Sequence, residues 1–182
     1  MTNQKSPNIA LNAVKAVATA LAEGKPESDV WTTFEREMTA VFGQRYFTVL
    51  AFDDESSRMC RVYSNRPDIG PVGGVKRVTR SPWVQHVLLD GKIYVGSTKA
   101  DVKSAFSEHE KLWSIGCEST LNIPIRKNGL TLGLFSLLDG AHAYDSADLA
   151  LANVFGQLAV VPVEAGLDRL TDIETPSHTE YV

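Results

Sequence analysis

At 182 residues, 43% hydrophobic and 22% charged, the chain has the make-up of one ordinary globular domain, long enough to bury its own core. A net charge of −4 without any Lys/Arg-rich run argues against a nucleic-acid partner, and two cysteines, Cys60 and Cys117, are too few for a disulfide framework. The apolar runs fall short of the roughly 20 residues that span a bilayer, and residues 1–8 are polar with no apolar signal core behind them, so the reading is a cytoplasmic protein, off the membrane, in a reducing compartment.

Residues 1–7 read as a disordered tail. Ile9, Ala10, Ala13, Val14, Val17, Ala18 and Leu21 recur at spacings of three and four and make one helical stripe. Gly24 and Pro26 end it. Ser28 is a candidate N-cap for a second helix, with Val30, Trp31, Phe34, Met38, Val41 and Phe42 on its apolar face and Gly43 beyond its end. Residues 46–52 are aromatic and β-branched, a strand. After a polar turn at 53–57, residues 58–64 return as a strand, with Met59, Arg61 and Tyr63 alternating against Cys60 and Val62. Residues 65–74 hold two prolines and three glycines and form a long loop, followed by a short strand over 75–78.

Ser81-Pro82 opens a helix with an N-cap and a proline at the first helical position. Trp83, Val84, Val87 and Leu88 are its apolar face and Asp90-Gly91 its end. Residues 92–95 make a short strand and 98–108 a loop with one helical turn. Ser107, with Glu110 three residues later, predicts a capping box for a helix over 108–115. Residues 117–138 are two apolar arms around Lys127-Asn128-Gly129, the strongest hairpin signal in the chain. Leu132 and Leu134 fall on one face of the second arm, Phe135 and Leu137 on the other. A strand apolar on both faces is covered on both, so this hairpin belongs in the middle of a sheet. Asp145 then caps a long helix carrying Leu149, Leu151, Ala152, Val154, Phe155, Leu158, Ala159, Val161 and Val163, with a kink at Pro162.

The order of elements predicts an α+β domain over 8–168, with 169–182 as a C-terminal tail. Its sheet is mostly antiparallel, the helices at the chain ends cover one face, and the crossover over 65–118 covers the other.

The series Phe47-Thr48-Val49-Leu50-Ala51-Phe52-Asp53, Ser81-Pro82-Trp83-Val84, Asp90-Gly91-Lys92, Ile115-Gly116-Cys117-Glu118-Ser119, Leu121-Asn122-Ile123-Pro124-Ile125, Gly129, Leu132-Gly133-Leu134 and Tyr144-Asp145-Ser146-Ala147-Asp148 resembles a GAF domain, the small-molecule sensory fold, over residues 28–165. The resemblance implies a six-stranded sheet ordered 2-1-5-4-3-6 or a close variant, with a ligand pocket between sheet and crossover. With no kinase, cyclase or DNA-binding module after it, the chain resembles the stand-alone bacterial GAF proteins. The implied role is a sensory or regulatory module that binds an unidentified small molecule.

On elements that face the implied pocket lie Tyr63, Trp83, His86, Tyr94, Phe106, Trp113, Cys117, Ser119, Asn122 and Ser136. Aromatic walls with a few polar groups suit a small-ligand site, although large side chains fill cores anyway. Asn122, inside an apolar strand, must find partners, in a ligand or in the backbone of the crossover. Cys117 is a small buried side chain unless something lowers its pKa. Lys76, Arg77 and Arg80 offer charge to an anionic ligand, though a solvated face is the commoner fate. The four histidines show no metal-ligand spacing, and nothing in the sequence supports haem, bilin or metal. The cyclic-nucleotide signature N-K-F-D-E of the family is absent.

Two alternatives stand beside a binding module. One is a cysteine-dependent redox enzyme resembling the free methionine sulfoxide reductases of the GAF fold, although residues 65–116 lack the cysteines that group uses there. The other is a structural dimerisation protein. The terminal helices, with Val14, Val17, Leu151, Phe155 and Leu158, offer a homodimer surface.

Overall fold

The structure, a computed structural model, describes residues 7–172 and 180–181. Two helices, α1 (Pro7–Ala22) and α2 (Glu27–Phe42), lead into a meander of β1 (Tyr46–Asp53), β2 (Arg58–Ser64) and β3 (Val75–Arg77). The crossover follows: α3 (Pro82–Val84), running on as a π-helical turn over Gln85–Leu89, then β4 (Tyr94–Gly96), α4 (Lys99–Ala105) and α5 (His109–Ser114). The hairpin β5 (Ser119–Lys127) and β6 (Leu130–Asp139) completes a second meander with β4. Then come α6 (Leu149–Leu158) and α7 (Val160–Asp172).

The two meanders join edge to edge where β1 pairs with β6, giving an antiparallel sheet in the order β3-β2-β1-β6-β5-β4. A short parallel strand, β7 (Glu180–Tyr181), lies outside β3. The expected order 2-1-5-4-3-6 is therefore corrected. Each three-strand group pairs with its sequence neighbours, which puts β3 beside β2 and gives the centre to β1 and β6. Helix α7 runs to Asp172, four residues into the stretch read as a tail. Residues 1–6, 173–179 and 182, the rest of the two expected tails, lie outside the described residues.

Both faces of the sheet are covered. Phe47, Val49 and Ala51 of β1, with Phe135 and Leu137 of β6, pack against Trp31, Phe34 and Met38 of α2, Phe155 of α6 and Val163 of α7. On the other face, Leu50, Phe52, Met59 and Leu134 pack against Trp83, Val84, Val87 and Leu88. Full burial of such aliphatic and aromatic side chains contributes about 1.5–3 kcal/mol apiece. Val17 and Phe155, read as offered to a second copy, are wholly buried in this chain's own core, and Val14, Leu151 and Leu158 pack against it. Among the described residues no single helix is long and apolar enough to cross a membrane.

The turn and cap chemistry holds in part. Asn128 (φ 53°) and Gly129 (φ 82°) take the left-handed conformations of a two-residue hairpin turn, and the Ser81 hydroxyl accepts from the Val84 amide at 3.1 Å. Three caps move. Pro26 precedes α2, leaving Ser28 inside the first turn. Helix α4 has the capping box instead of α5: Asp101 Oδ2 accepts from the Thr98 amide at 2.9 Å, while Ser107 spends its hydroxyl on the Glu108 carboxylate. Helix α6 starts at Asp148, which accepts from the Leu151 amide at 3.0 Å; Asp145 instead accepts from the Ser97 hydroxyl. The break before Pro162 separates α6 from α7 at 51°, one turn ahead of the residue that cannot donate back to it.

Two β-bulges break the strand alternation. On β6, Gly133 faces Ile125 and Thr131 faces Arg126, so Leu132 is the extra residue. It joins Gly133 on the helix face, packing with the helix-side core rather than with Leu134. Gly133 is there for closeness. A Cβ on it would lie 2.3 Å from the Leu50 carbonyl oxygen and 2.9 Å from Val163 Cγ2, and the first neighbour is backbone in the strand across the ladder. Gly133→Ala should therefore cost about 1–3 kcal/mol by overpacking. Urea denaturation checks this, and an unchanged midpoint would refute the close-approach reading.

Candidate functional site

The crossover face of the sheet encloses a cavity. Its floor is Tyr46, Thr48 and Leu50 of β1 with Leu134, Ser136 and Leu138 of β6. Met59 and Arg61 of β2 and Lys76 of β3 form one wall, and Trp83, Phe106, Glu108 and Leu112 of the crossover close it. The space open to the centres of water molecules is about 30 Å³. A larger depression between α1 and α2, about 350 Å³, is open to solvent, and its Lys25 and Arg36 already pair with Glu23 and Glu37.

The enclosed cavity is charged. Arg61 and Lys76 are buried, their side chains 8% and 6% exposed. Glu108 meets Lys76 in direct contact and stands 3.9 Å from Arg61 Nη2. Burial pushes the Glu108 carboxyl up, but the charge and hydrogen bond of Lys76, helped by its own backbone amide and Ser107, outweigh this and hold it below the usual carboxylate range. Arg61 Nη1 donates to the Pro71 carbonyl at 3.3 Å. Arg61 Nε and the Tyr46 hydroxyl, in two side chains that line the cavity, make no close hydrogen bond, the Ser64 hydroxyl lying beside the Tyr46 oxygen.

Of the residues singled out in the sequence, the structure brings Trp83, Phe106 and Ser136 to the cavity, with the Trp83 and Phe106 rings 6.0 Å apart. Asn122, wholly buried, stands behind them. Its carbonyl accepts from Trp83 Nε1 at 3.0 Å and its amide donates to Ser136 Oγ at 3.0 Å. Its partners are thus two side chains of the cavity wall, not the crossover backbone.

The others lie elsewhere. Tyr63 is on the opposite face. Val49 faces Tyr63 and Leu50 faces Arg61, so Val62 is an extra residue, and Val62 and Tyr63 both turn to the helices. The Tyr63 hydroxyl donates to Glu35 of α2; burial first, then that carboxylate, push its pKa up to about 12. His86 bonds the Ile93 carbonyl through Nε2 at 3.0 Å and meets the Tyr94 ring, both outside the cavity. Trp113 packs tilted against His109, ring centroids 4.7 Å apart, beneath Lys99. Ser119 donates to the Gly140 carbonyl at 2.6 Å, tying the hairpin ends together. Cys117 is buried with Leu112, Val102 and Leu138.

The sequence reading passed over Tyr46, Thr48, Arg61 and Glu108. Arg61 carried a signal, a charge in the apolar middle of its strand, between Cys60 and Val62. Glu108 carried none, since its role depends on Lys76, 32 residues away. Lys76 alone of the three cations after the glycine-rich loop lines the cavity.

Among the described residues no group of three or more His, Cys, Asp or Glu is placed to hold a metal. Burial, then the charge of Asp139, raise the Cys117 thiol to about 12, the reverse of what an attacking thiol requires.

Two measurements follow from this geometry. Asn122→Ala strips the Trp83 N–H and the Ser136 hydroxyl of a buried partner, and should lower the unfolding free energy by about 1–3 kcal/mol. Equal stability in chemical denaturation would show that neither bond matters. At pH 8 an ordinary thiol of pKa about 8.5 is partly ionised, whereas both buried cysteines should stay unreactive to Ellman's reagent until the chain unfolds. Rapid reaction of the folded protein would contradict the burial of Cys117.

No protein-family model matches the sequence, and no curated protein matches it. Solved structures do match in fold. The GAF domain from an Acinetobacter phosphoenolpyruvate-protein phosphotransferase aligns with 95% of this chain and 100% of its own, at 12% identity and a TM-score of 0.66. The phycoerythrobilin-bound GAF domain from a cyanobacterial phytochrome aligns with 90% of this chain and 100% of its own, at 16% identity and 0.64. The GAF domain of a two-component sensor histidine kinase from Bacillus halodurans aligns with 80% and 97%, at 16% identity and 0.58. With an antiparallel six-strand core, helices on one face and a cavity under the crossover on the other, the chain has the fold of a GAF domain.

Proposed function

We propose that the chain is a small-molecule-binding sensory or regulatory module without a catalytic site of its own, acting as a homodimer on a separate partner. The observation that carries the reading is the buried Arg61, Lys76 and Glu108 cluster around the enclosed cavity. Removing charges from water costs several kcal/mol each, and apolar residues in their place would often stabilise the fold more. Charge kept at such a site, between an aromatic wall and a sheet, serves recognition better than stability. The matching domains from a phosphotransferase, a phytochrome and a sensor kinase support a regulatory role by analogy of fold, and the site supplies the rest. Against the redox alternative stands the burial of Cys117, which also raises its thiol pKa. For the homodimer, Leu11 of α1, Val154 of α6 and Val161 of α7 are exposed apolar residues on the terminal helices.

Native mass spectrometry of protein purified from a rich medium tests the reading. The expected spectrum shows twice the chain mass plus a small adduct that is lost on denaturation. A ligand added at about 100 times its Kd should stabilise the fold by about 2.7 kcal/mol. A bare, monomeric mass, with no thermal shift across a broad metabolite panel, would remove both the ligand and the dimer.

A further inference from the structure

We infer that the cavity is a receptor for a small carboxylate, held by the Arg61 guanidinium and the Tyr46 hydroxyl beneath the loop at Gly70. This rests on the ligand-binding reading and names its ligand class. Arg61 and Tyr46 are 6% and 4% exposed and both line the cavity; Arg61 Nε has no hydrogen-bond partner, and the phenolic O–H, beside the Ser64 hydroxyl, has no acceptor within close hydrogen-bond distance. A guanidinium carries five N–H donors. Arg61 places one on the Pro71 carbonyl, and its nearest acidic partner, Glu108 at 3.9 Å, is beyond hydrogen-bond reach and engaged with Lys76. Leaving such donors unmet in a buried site is unfavourable.

The two donors converge. A Cβ on Gly70 would lie 2.0 Å from the Tyr46 hydroxyl and 2.7 Å from the central carbon of the Arg61 guanidinium, so the two groups pack against that loop and lie close to one another at the edge of the cavity. A carboxylate brings two acceptor oxygens and one negative charge, the complement of an N–H and an O–H beside a fixed cation. Size sets the rest. One water needs roughly 10–15 Å³ of such space, so about 30 Å³ takes a headgroup of two or three heavy atoms. Trp83, Phe106 and Leu134 offer an apolar wall for a short tail.

The test is thermal melting with sodium acetate, its neutral isostere acetamide, and sodium chloride as the ionic-strength control. Acetate should raise Tm in a saturable manner, and the other two should not. Tyr46→Phe keeps the ring, loses the O–H beside Ser64, and should leave the ligand-free protein folded, as its own melting curve checks. It should weaken acetate about tenfold, the loss of one hydrogen bond to a charged group. Arg61→Gln should abolish the response; if that variant fails to fold, Tyr46→Phe decides alone. Equal responses to acetate and acetamide, or wild-type affinity in Tyr46→Phe, would overturn the assignment. So would an unchanged Tm with formate, acetate and pyruvate, leaving a cavity filled by water. A neutral adduct in the native spectrum with no acetate response would overturn the carboxylate and leave the binding module standing. A bare mass with an unresponsive metabolite panel would overturn both.

Discussion

The β1–β6 pairing carries both faces of this molecule. It joins the two meanders, and its residues alternate between two different environments. Phe47, Val49, Phe135 and Leu137 enter the helix-side core, while Tyr46, Thr48, Leu50, Leu134 and Ser136 floor the cavity. The side-chain period of a strand is two, so a register slip by one residue would exchange core for cavity along the whole joint. Gly133, on the helix side, lets Leu50 and Val163 approach where no side chain would fit. The cavity is in this sense built from the core outward: its floor is rigid because the reverse of the same strands is fully packed.

On that floor the polar groups fall into two sets with different degrees of satisfaction. Asn122, Ser136 and the Trp83 indole form a closed chain of hydrogen bonds that fixes the aromatic wall. Arg61 and Tyr46 are left with donors to spare. Satisfied buried networks rigidify and specify a structure, while an incomplete one is costly in a low dielectric. The contrast between neighbours a few ångströms apart separates the groups that hold the wall from those open to a guest. Glu108 stands apart from both sets, starting α5 through its backbone and holding Lys76 through its side chain.

The β2 bulge shows how one residue redistributes chemistry. With strict alternation, Arg61 and Tyr63 would share a face. The extra Val62 keeps Arg61 at the cavity and sends Tyr63 to Glu35 on the helix side. Lost ladder pairing is the cost of a bulge; what it changes here is which side chain reaches which compartment. A bulge depends on the partner strand, which is why alternation within residues 58–64 gave no warning of it. The same holds at Leu132, which changes faces for the same reason.

Local chemistry was enough to determine most of the elements; α4, over a stretch read as a loop with one helical turn, and β7, in the stretch read as a tail, are the exceptions. The stripe in α1, the Ser81-Pro82 start, the Asn128-Gly129 turn and the two-sided apolar hairpin each follow from torsional preference and periodicity over a few residues, and together they fix an α+β layer plan. Three caps moved, because Ser, Thr, Asp and Glu near a helix start compete for the same orphan amides and tertiary partners choose among them. Trp83, Phe106 and Ser136 could be placed at the cavity because their elements were placed. Tyr46, Arg61, Lys76 and Glu108 could not be assembled from the sequence, since they come from β1, β2, β3 and the start of α5, and their meeting depends on strand order, bulge position and crossover docking. The sequence by itself determined most of the helices and strands and that both faces of the hairpin are covered, because those are decided by near neighbours. Only the tertiary structure decided which charges share a buried space, because burial and the pairing of distant side chains exist only once the sheet has closed.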